Sequence, residues 1–578
     1  MSAMIKRRAV ESIANMDLHP ILQRIYAARG VKQPADLERD LKALLSYQTL
    51  MGVDAAASLL ADSLTAQDRI VIIGDFDADG ATSSALAMRV LKSFGVQQVS
   101  YLVPNRFDFG YGLTPEIVDV AIKDSPDLII TVDNGIANIA GVKHAKSRGI
   151  KVLITDHHLA ADELPEADAI VNPNQPGDKF ESKNLAGVGV IFYVMLALRQ
   201  MLRDKDWFTQ QNIPEPNMAE YLDLVALGTV ADVVPLDKNN RILVHQGLRR
   251  IRAGKCCEGI KAILQVGKRK LPHVAASDLG FAVGPRLNAA GRLEDMALGI
   301  ECLLTDDAQL AMGMAEELDA LNQERKGIEN DMRDQAFKAL DKLKLDEDCL
   351  PAGITVMDET WHQGVIGILA SRVKDKYHRP VIAFASADST TLKGSARSIQ
   401  GLHIRDVLDM IDKKNPGLID KFGGHAMAAG LSLSKKNYAT FQQAFAMVVG
   451  LQLNEDDFQQ VIHSDGELPV TELNLQLAEL LQQAGPWGQL FPEPLFDDEF
   501  ELVDQRIVGQ RHLKCTVKLG DKLLDAIAFN VDTQVWPNHR CNKIRAAYRL
   551  DVNEFRDIRT VQLIFQHIEA IPTCKNVK

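Results

Sequence analysis

The 578-residue sequence has no run of about 20 apolar residues, the length that a membrane-spanning helix needs. Lys6, Arg7 and Arg8 near the start are not followed by the apolar core of a secretion signal. Cysteine is scarce, and its seven residues are an odd number without the spacing of paired metal ligands. These absences argue against membrane proteins and disulfide-stabilised secreted proteins, so we expect a cytoplasmic protein with free thiols and no membrane partner.

An excess of positive charge is also missing. The chain has 77 Asp and Glu residues against 65 Lys and Arg residues, a formal net charge of −12. Taken alone, this charge argues against a general polyanion binder. The basic residues are nevertheless clustered in three groups: Arg249, Arg250, Arg252, Lys255, Lys261 and 268–270; Lys374, Lys376 and Arg379; and Lys393, Arg397 and Arg405. Each group can be a solvated helix face, but together they leave room for a basic channel on an acidic body.

The length indicates about three or four domains. Strands that alternate with helices are typical of parallel βαβ units. The patterns predict an N-terminal helical segment at 1–65, an α/β domain at 66–305, a connecting helix at 306–345, a second α/β domain at 346–455 and a β-rich domain at 456–578. The predicted fold class is therefore α/β, with a parallel sheet, a long helix, a second α/β unit and a C-terminal β-barrel.

The chain is organised around residues 71–80, where a Val-Ile-Ile strand pattern leads into Asp75, Asp77 and Asp79 and then Gly80. Gly80 predicts a tight turn, and Thr82 or a neighbouring serine is expected to cap the helix that follows. Three carboxylates this close repel one another unless a cation lies among them. Oxygen-rich clusters suit Mg²⁺ or Mn²⁺, and a solvated acidic turn is the alternative.

Polar residues also follow other apolar segments of the same domain. Strands are predicted at 69–74, 99–103, 128–132, 151–155 and 169–171. Asp133 follows the third strand, Asp156-His157-His158 the fourth, and Asp232 an apolar helix-like run at 221–230. One such aspartate can be a helix cap, but four sites at the carboxyl rim of one sheet predict a divalent-metal site. Mixed carboxylate and imidazole ligands suit Mn²⁺ well and Mg²⁺ less.

Residues 284–292 carry Arg286, Asn288 and Arg292 among glycine, proline and alanine. Glycine and proline disfavour regular structure, so the pattern predicts a shaped loop. Arginine forks fit phosphate oxygens, which makes this loop a candidate phosphate contact. An Arg–carboxylate pair that braces the acidic rim is the alternative, and both roles can coexist.

The second α/β domain follows a helix predicted over 306–342, which would span roughly 50 Å. Its strands are predicted at 354–357 and 381–384. Ser395 and Arg397 lie in one of its motifs, and Gly423, Gly424 and His425 in another. Glycines beside such side chains let backbone N–H groups approach an anion, so these residues are predicted to bind phosphate.

In the last segment, Leu513, Cys515, Val517 and Leu519 alternate with polar residues. Further strands are predicted at 526–529, 544–550 and 561–565. Short strands over about a hundred residues favour a small barrel of the OB type, a frequent single-strand-binding fold. A β-sandwich has the same period-two pattern and is the alternative.

Together these motifs resemble the DHH phosphoesterase superfamily, named for a triplet that matches Asp156-His157-His158. Segments 75–80, 133–135, 156–158 and 231–236 resemble its four metal motifs in order. The Gly423-Gly424-His425 motif resembles the signature of its DHH-associated domain. The length, segment 284–292, the long helix and the β tail resemble the bacterial single-strand-specific 5′→3′ DNA exonucleases of this superfamily.

The resemblance implies a ligand set. The implied metal ligands are Asp77, Asp79, Asp133 as the bridging carboxylate, His157 and Asp232. Many relatives have a His four residues before the first ligand Asp, where this chain has Ile73, and Asp75 is the expected substitute. Asp156 is expected to orient an imidazole, and His158 to bind metal or contact the scissile phosphate.

The resemblance also implies two-metal hydrolysis of single-stranded DNA from its 5′ end, with two Mn²⁺ or Mg²⁺ ions and release of 5′-mononucleotides. His158, Arg292 and Asp156 are the implied catalytic residues, with Arg286 aiding charge neutralisation. Ser395, Arg397 and His425 are expected to hold the 5′ end. Single-strand binding protein, a RecQ-type helicase and mismatch-repair factors are implied partners, and we expect a monomer.

Two other functions fit parts of this pattern. A smaller DHH hydrolase would act on short oligonucleotides, cyclic dinucleotides or pyrophosphate and would need only the two central domains. A non-catalytic scaffold with a degenerate core would have lost metal ligands, whereas this chain has acidic residues at every motif.

Overall fold

The computed structural model describes residues 4–10, 16–103, 112–160, 163–342, 350–424, 426–556 and 558–571. The N-terminal segment contains β1 (Met4–Arg7), α1 (Pro20–Ala27) and α2 (Val53–Ala66). Besides the predicted helices, the segment has a strand that the sequence did not indicate, because β1 pairs in parallel with β12 (Val461–Ser464). A four-residue strand whose partner lies more than 400 residues away has no local pattern that reveals it.

The first α/β domain has a five-stranded parallel sheet, as predicted. Its strands are β2 (Ile70–Ile73), β3 (Val99–Leu102), β4 (Leu128–Val132), β5 (Lys151–Thr155) and β6 (Ala169–Val171), in the order β3-β2-β4-β5-β6. The connecting helices are α3 (Ala78–Ser93), α4 (Pro115–Ala121), α5 (Ile139–Ser147) and α6 (Gly187–Asp204). Apolar side chains cover both faces of the sheet, which is why its strands read as continuous apolar runs.

Helix α3 begins earlier than the sequence indicated. Asp77, not Thr82 or a serine, caps it: the Asp77 Oδ1 accepts hydrogen bonds from the N–H groups of Asp79 and Gly80 at 2.9 and 3.0 Å. Gly80 therefore lies in the first helical turn. A Cβ atom there would lie 2.4 Å from the Asp75 carbonyl oxygen, so glycine serves close packing rather than a turn.

Helices complete this domain. They are α7 (Trp207–Gln210), α8 (Leu222–Ala231), α9 (Lys238–Arg252), α10 (Glu258–Val266), α11 (Ala276–Asp278), α12 (Gly284–Leu293) and α13 (Ala297–Leu304), with a π-helical turn at Leu279–Val283. The loop predicted at 284–292 is therefore wrong. Pro285 occupies the first turn of α12, directly after the π-helical turn, and its fixed φ suits the helix.

The connecting helix is α14 (Ala308–Lys342), 35 residues long as the apolar spacing predicted. The second α/β domain contains β7 (Ile354–Met357), α15 (Ile366–Tyr377), β8 (Val381–Ser386), β9 (Thr391–Arg397), α16 (Ile404–Lys414), β10 (Lys421–Gly424), β11 (Ala428–Ser434) and α17 (Tyr438–Gln452). Its sheet has the order β10-β11-β9-β8-β7, so β10 is an edge strand.

The C-terminal domain is a closed five-stranded barrel, which decides against the sandwich. After α18 (Leu475–Ala484), its strands are β13 (Phe496–Val508), β14 (His512–Leu519), β15 (Lys522–Ala528), β16 (Lys543–Phe555) and β17 (Ile558–Ala570), in the order β13-β14-β15-β17-β16. Leu513, Cys515 and Val517 point into the barrel, as their alternation predicted. Three consecutive acids in β13 obscure the pattern of that strand, which the sequence did not indicate.

One apolar core joins distant parts of the chain. Buried residues of the N-terminal segment, the first α/β domain, α14 and the barrel form a single contiguous cluster that runs from Met16 to Phe565. The second α/β domain has separate clusters of its own. The barrel is thus packed on the first domain, although the second domain separates them in sequence. Among the described residues, no helix is long and apolar enough to cross a membrane.

Gly291 holds α12 against the first acidic motif, and we expect Gly291→Ala to destabilise the fold. A Cβ atom there would lie 1.8 Å from the Phe76 carbonyl oxygen, so the backbone must move by enough to cost roughly 1–3 kcal/mol or more. Gly313→Ala is the control, because that exposed helical position has open space and alanine favours a helix by about 1 kcal/mol. Thermal unfolding of both variants tests this: an unchanged midpoint for Gly291→Ala contradicts it.

Candidate metal centre and nucleic-acid site

The predicted ligands meet at the carboxyl edge of the first sheet. Asp75 lies just beyond β2, Asp133 follows β4, and Asp156-His157-His158 follows β5. Asp232 arrives from a different direction, as the residue that ends α8. Parallel strands present their carboxyl ends at one edge, so the three strand segments meet there, and the end of α8 brings Asp232 to the same place.

The side chains form two groups that could each hold a cation. Asp75, Asp77 and Asp133 make one group, and Asp79, His157 and Asp232 make the other, with ligand atoms within 4.8 Å of one another in each. A third overlapping group contains Asp133, His157 and His158. The Asp133 Oδ1 lies 3.1 Å from the His157 Nε2, which lies 3.5 Å from the Asp232 Oδ2. Asp133 is therefore the carboxylate placed to bridge the two groups.

The donor set fits divalent cations. Among the described residues, the buried Nε2 of His157 makes no hydrogen bond although two carboxylates surround it. A buried polar atom without a hydrogen bond is costly unless a ligand satisfies it. Five carboxylates and an imidazole at one site suit Mn²⁺, and carboxylate oxygens also suit Mg²⁺.

Burial and mutual repulsion raise the pKa values of the clustered carboxyl groups. Burial, with the charge of Asp77 next, raises the pKa of Asp75 and of Asp79 to about 7. The same causes, burial first and then Asp79 and Asp77, raise the pKa of Asp232 to about 8. Burial and these neighbours also raise the pKa of Asp133 well above its usual range. Such a cluster gains from a bound cation, which replaces the shared protons.

Asp156 differs from the other acids because it supports the imidazoles. Its Oδ1 lies 2.8 Å from the Nδ1 of His158 and accepts hydrogen bonds from the N–H groups of His157 and His158. Burial lowers the pKa of His158, but the hydrogen bond and charge of Asp156 outweigh it and raise that pKa to about 9. Burial and the His158 charge lower the pKa of His157 to about 4, which favours the neutral ring that metal binding requires.

Several supporting residues escaped the sequence analysis. The N–H groups of Gly187 and Val188, at the start of α6, donate to the Asp79 carboxylate at 2.6 and 3.0 Å. A Cβ atom on Gly187 would lie 2.6 Å from the Asp133 Cβ, and one on Gly228 would lie 2.7 Å from the Asp79 Oδ1. These glycines let two helices approach the metal groups, and no local pattern signals such a role.

Asn172 and Asn174 hold the backbone of the histidine motif. The Asn172 Nδ2 donates to the His158 carbonyl at 2.9 Å, and the Asn174 Nδ2 donates to the His157 carbonyl at 2.6 Å. Asn172 is the first and Asn174 the third residue after β6. The rule that found the acids, polar residues at the carboxyl end of a strand, could have found these asparagines too.

The residues of α12 have different positions. Arg286 is buried, and its Nε and Nη2 both contact the Oδ1 of Asp319 on α14, at 2.9 and 2.7 Å, so the structure gives it a bracing contact with the long helix. Asn288 accepts a hydrogen bond from the Ala78 N–H at 2.7 Å and so holds the start of α3. Arg292 is exposed in the last turn of α12, next to the Gly291 contact with Phe76.

The predicted phosphate residues of the second domain lie on strands. Ser395 and Arg397 are on β9, and Gly423 and Gly424 are on the edge strand β10, whereas His425 lies outside the described residues. The Arg397 guanidinium donates to the Ser395 Oγ at 3.1 Å and forms no ion pair with any described carboxylate. A Cβ atom on Gly367, in the first turn of α15, would lie 3.0 Å from the Arg397 Nη2.

Three family models match the chain: the DHH family N-terminal domain at 69–229, the DHHA1 domain at 351–450 and the RecJ OB domain at 464–567. The domain boundaries proposed from sequence stay predictions. The single-stranded-DNA-specific exonuclease RecJ of Escherichia coli (strain K12) is 55% identical over 571 residues, 98% of this chain and 99% of that protein. The chain belongs to the RecJ family.

Solved structures of RecJ have the same fold. RecJ from Thermus thermophilus in complex with Mn²⁺ matches with a TM-score of 0.75 at 28% identity, covering 96% of this chain and 76% of that one. The Mg²⁺ complex of the same protein matches with a TM-score of 0.70 at 27% identity, covering 96% and 75%. The fold class predicted from the sequence is confirmed in full.

Proposed function

We propose that this chain is a single-stranded-DNA-specific exonuclease that acts 5′→3′, releases 5′-mononucleotides and serves DNA recombination and repair. The observation that carries the proposal is the placement of Asp133 between two metal-competent groups, in a chain that closely matches RecJ along its whole length. A phosphodiester is an anion that repels a hydroxide nucleophile, and paired cations are the usual solution to that problem.

Two Mn²⁺ or Mg²⁺ ions are the proposed cofactors. Asp75, Asp77 and Asp133 would hold one ion, and Asp79, His157, Asp232 and Asp133 the other. Bound there, the ions would lower the pKa of a water nucleophile and neutralise charge on the phosphate. Asp75 fits the role of substitute for the family His at Ile73, because its carboxylate belongs to the first group.

The chain's own residues then orient and neutralise the substrate. Asp156 fixes the His158 ring through Nδ1 and keeps it protonated, so His158 is proposed to contact the scissile phosphate as a cation. Arg292 is proposed to add a second positive charge from α12. Arg286 would act indirectly, since its pair with Asp319 fixes the helix that carries Arg292.

The second domain is proposed to bind the 5′ end. Arg397 and Ser395 lie beside the first turn of α15, where backbone N–H groups and the helix dipole favour an anion. The edge strand β10 with Gly423 and Gly424 leaves one row of backbone groups outside the sheet, and His425 is assigned here from its motif. Holding the terminal phosphate at this place would set the polarity of cleavage.

A polymer substrate is favoured over a short one. The barrel matches the RecJ OB domain and shares an apolar core with the first α/β domain. The barrel is therefore packed against the domain that carries the candidate metal site. A hydrolase of dinucleotides or pyrophosphate has no use for such a barrel. A degenerate scaffold is disfavoured because all the predicted ligands are present and converge.

The partners, oligomeric state and location of the protein are part of the same proposal. Single-stranded DNA is the main partner, and single-strand binding protein, a RecQ-type helicase and mismatch-repair factors are proposed from family resemblance. We also propose that the protein is a monomer and lies in the cytoplasm.

Digestion of end-labelled oligonucleotides with Mn²⁺ present tests the function. We expect mononucleotides from the 5′ end of long single strands, little from a matched duplex, and slow cleavage of a dinucleotide. Equal cleavage from the 3′ end refutes the polarity. A preference for the dinucleotide favours the short-substrate hydrolase instead.

Arg397→Ala is expected to remove the preference for a 5′-phosphorylated strand. Loss of a hydrogen bond to a charged group costs about 1.5–3 kcal/mol, or roughly 10- to 100-fold in kcat/KM, on phosphorylated substrate only. Strands with 5′-hydroxyl ends should be cut at nearly the wild-type rate. Arg405→Ala, which removes one exposed positive charge elsewhere in the domain, is the control. An equal loss on both strands would contradict a terminal-phosphate role.

A further inference from the structure

A groove of about 890 Å³ begins beside the metal centre and ends at the barrel. Val233, the residue after Asp232, is one of its lining residues. Its lining also includes residues between 268 and 281 and residues of β16 in the barrel, and the Lys270 Nζ lies 2.5 Å from the Glu554 Oε1 of β16. The groove therefore connects the candidate catalytic site to the domain that matches the RecJ OB domain.

The groove has a local excess of positive charge. Its lining contains six Lys and Arg residues against four Asp and Glu residues, whereas the whole chain has a net charge of −12. Some of these cations are paired, such as Arg269 with Asp278 at 3.0 Å. Lys268 and Arg252 form no ion pair with any carboxylate in the described part of the chain. This charge suits a polyanion such as the proposed DNA strand.

Phe281 projects into this groove and is 83% exposed. A loosely packed segment does not explain this exposure, because Leu279, Ala282 and Val283 in the same π-helical turn are all buried. Such turns occur frequently at functional sites. A large aromatic ring held in water by a firmly packed turn is poorly explained by folding alone, because its exposure forgoes hydrophobic stabilisation.

Val233 is also unusual. It is 66% exposed and has a φ of +61°, a conformation that a β-branched residue rarely adopts. Strain of this kind persists when the surrounding structure imposes it, and it is found at functional sites. Val233 and Phe281 thus place two apolar surfaces in a basic groove that leads from the metal centre.

We propose that Phe281 stacks on one base of the bound strand, on the 3′ side of the cleaved bond, and that Val233 contacts the nucleotide between it and the metal centre. The proposal rests on the proposed exonuclease function. Aromatic rings stack on any base, so this contact detects that a base is present rather than which base it is. Phe281 is a positioning residue: it holds the strand in register while other residues act on the phosphate.

The test measures release of the first mononucleotide from strands in which a single abasic site is moved one nucleotide at a time from the 5′ end. With the wild-type protein, the release rate should fall by roughly tenfold or more when the abasic site is at one position, where the missing base would meet Phe281. Phe281→Ala should lower the release rate on the intact strand by a similar factor, mainly through a higher KM. It should show no further loss at that position, and Phe281→Tyr should restore the wild-type pattern.

Leu451→Ala is the control, since Leu451 is 70% exposed on α17 and lies outside the groove. It should leave both the rate and the abasic profile unchanged. The proposal fails if Phe281→Ala releases the first mononucleotide as fast as the wild type does. It also fails if the rate loss caused by Phe281→Ala multiplies the loss caused by an abasic site at every position, as a purely structural role predicts. A wild-type protein that cannot degrade single strands would instead reject the exonuclease function itself.

Discussion

Asp133→Asn is expected to abolish most of the nuclease activity. Asp133 belongs to the first metal group and also contacts the His157 of the second. An amide supplies one neutral oxygen in place of a charged, bidentate carboxylate, so both ions would bind more weakly. Losing several kcal/mol of metal-based stabilisation corresponds to a rate lower by on the order of 10³-fold or more.

The measurement is a single-turnover digestion of a 5′-labelled strand, with Mn²⁺ binding followed by calorimetry. Asp223→Asn is a matched control: Asp223 is also buried, lies on α8 nine positions before Asp232, and accepts a hydrogen bond from the Cys257 N–H that an amide oxygen can keep. The control should retain activity and metal binding. Full activity in Asp133→Asn would mean that the reaction is centred elsewhere.

The second large effect is a dependence of metal-free stability on pH. The pKa values of Asp75, Asp79 and Asp232 are about 7, 7 and 8 in the fold, against about 3.9 in an unfolded chain. Folded protein therefore binds more protons than unfolded protein between about pH 4 and pH 8. The stability from these groups is present at low pH and is lost as pH rises through 7 to 8.

Mn²⁺ should reverse this trend, because it binds the deprotonated carboxylates. One ion at 100 times its Kd adds about 2.7 kcal/mol to stability, and its affinity rises with pH as the competing protons leave. We expect the rise in unfolding temperature on adding Mn²⁺ to be larger at pH 8 than at pH 6. Differential scanning calorimetry with and without chelator measures it, and Asp133→Asn should show a much smaller rise. A metal effect that grows as pH falls would contradict the assigned ligands.

Much of the candidate metal site can be predicted from the sequence, because each candidate ligand depends on a local pattern. Each ligand follows an apolar strand or helix, and parallel topology brings such ends together, so Asp75, Asp133 and His157 could be placed before the structure was known. The glycines that pack against them could not be predicted, because their partners lie far away in sequence. Gly187 is a glycine only because Asp133 lies within 2.6 Å of where a Cβ would be, and nothing near residue 187 indicates this.

Two errors have a common cause. Residues 284–292 and Gly80 were interpreted from the conformational freedom of glycine and proline, yet both lie in helices. Gly80 and Gly291 are there because backbone oxygens of Asp75 and Phe76 pass too close for a side chain. Composition alone does not distinguish a glycine needed for a turn from one needed for contact, since only the second depends on tertiary structure.

The shared core has a consequence for biosynthesis. The apolar cluster that begins at Met16 is completed by barrel residues as late as Phe565, and β1 can pair only after β12 has been made. The ribosome must therefore synthesise α14 and the second α/β domain while the surface that awaits the barrel is uncovered. That domain, with its separate core, can fold during this interval. The part of the first domain's core that packs on the barrel stays uncovered until the last strand is made. A ribosome that stalls within the barrel therefore releases a chain with an exposed apolar face and a tendency to aggregate.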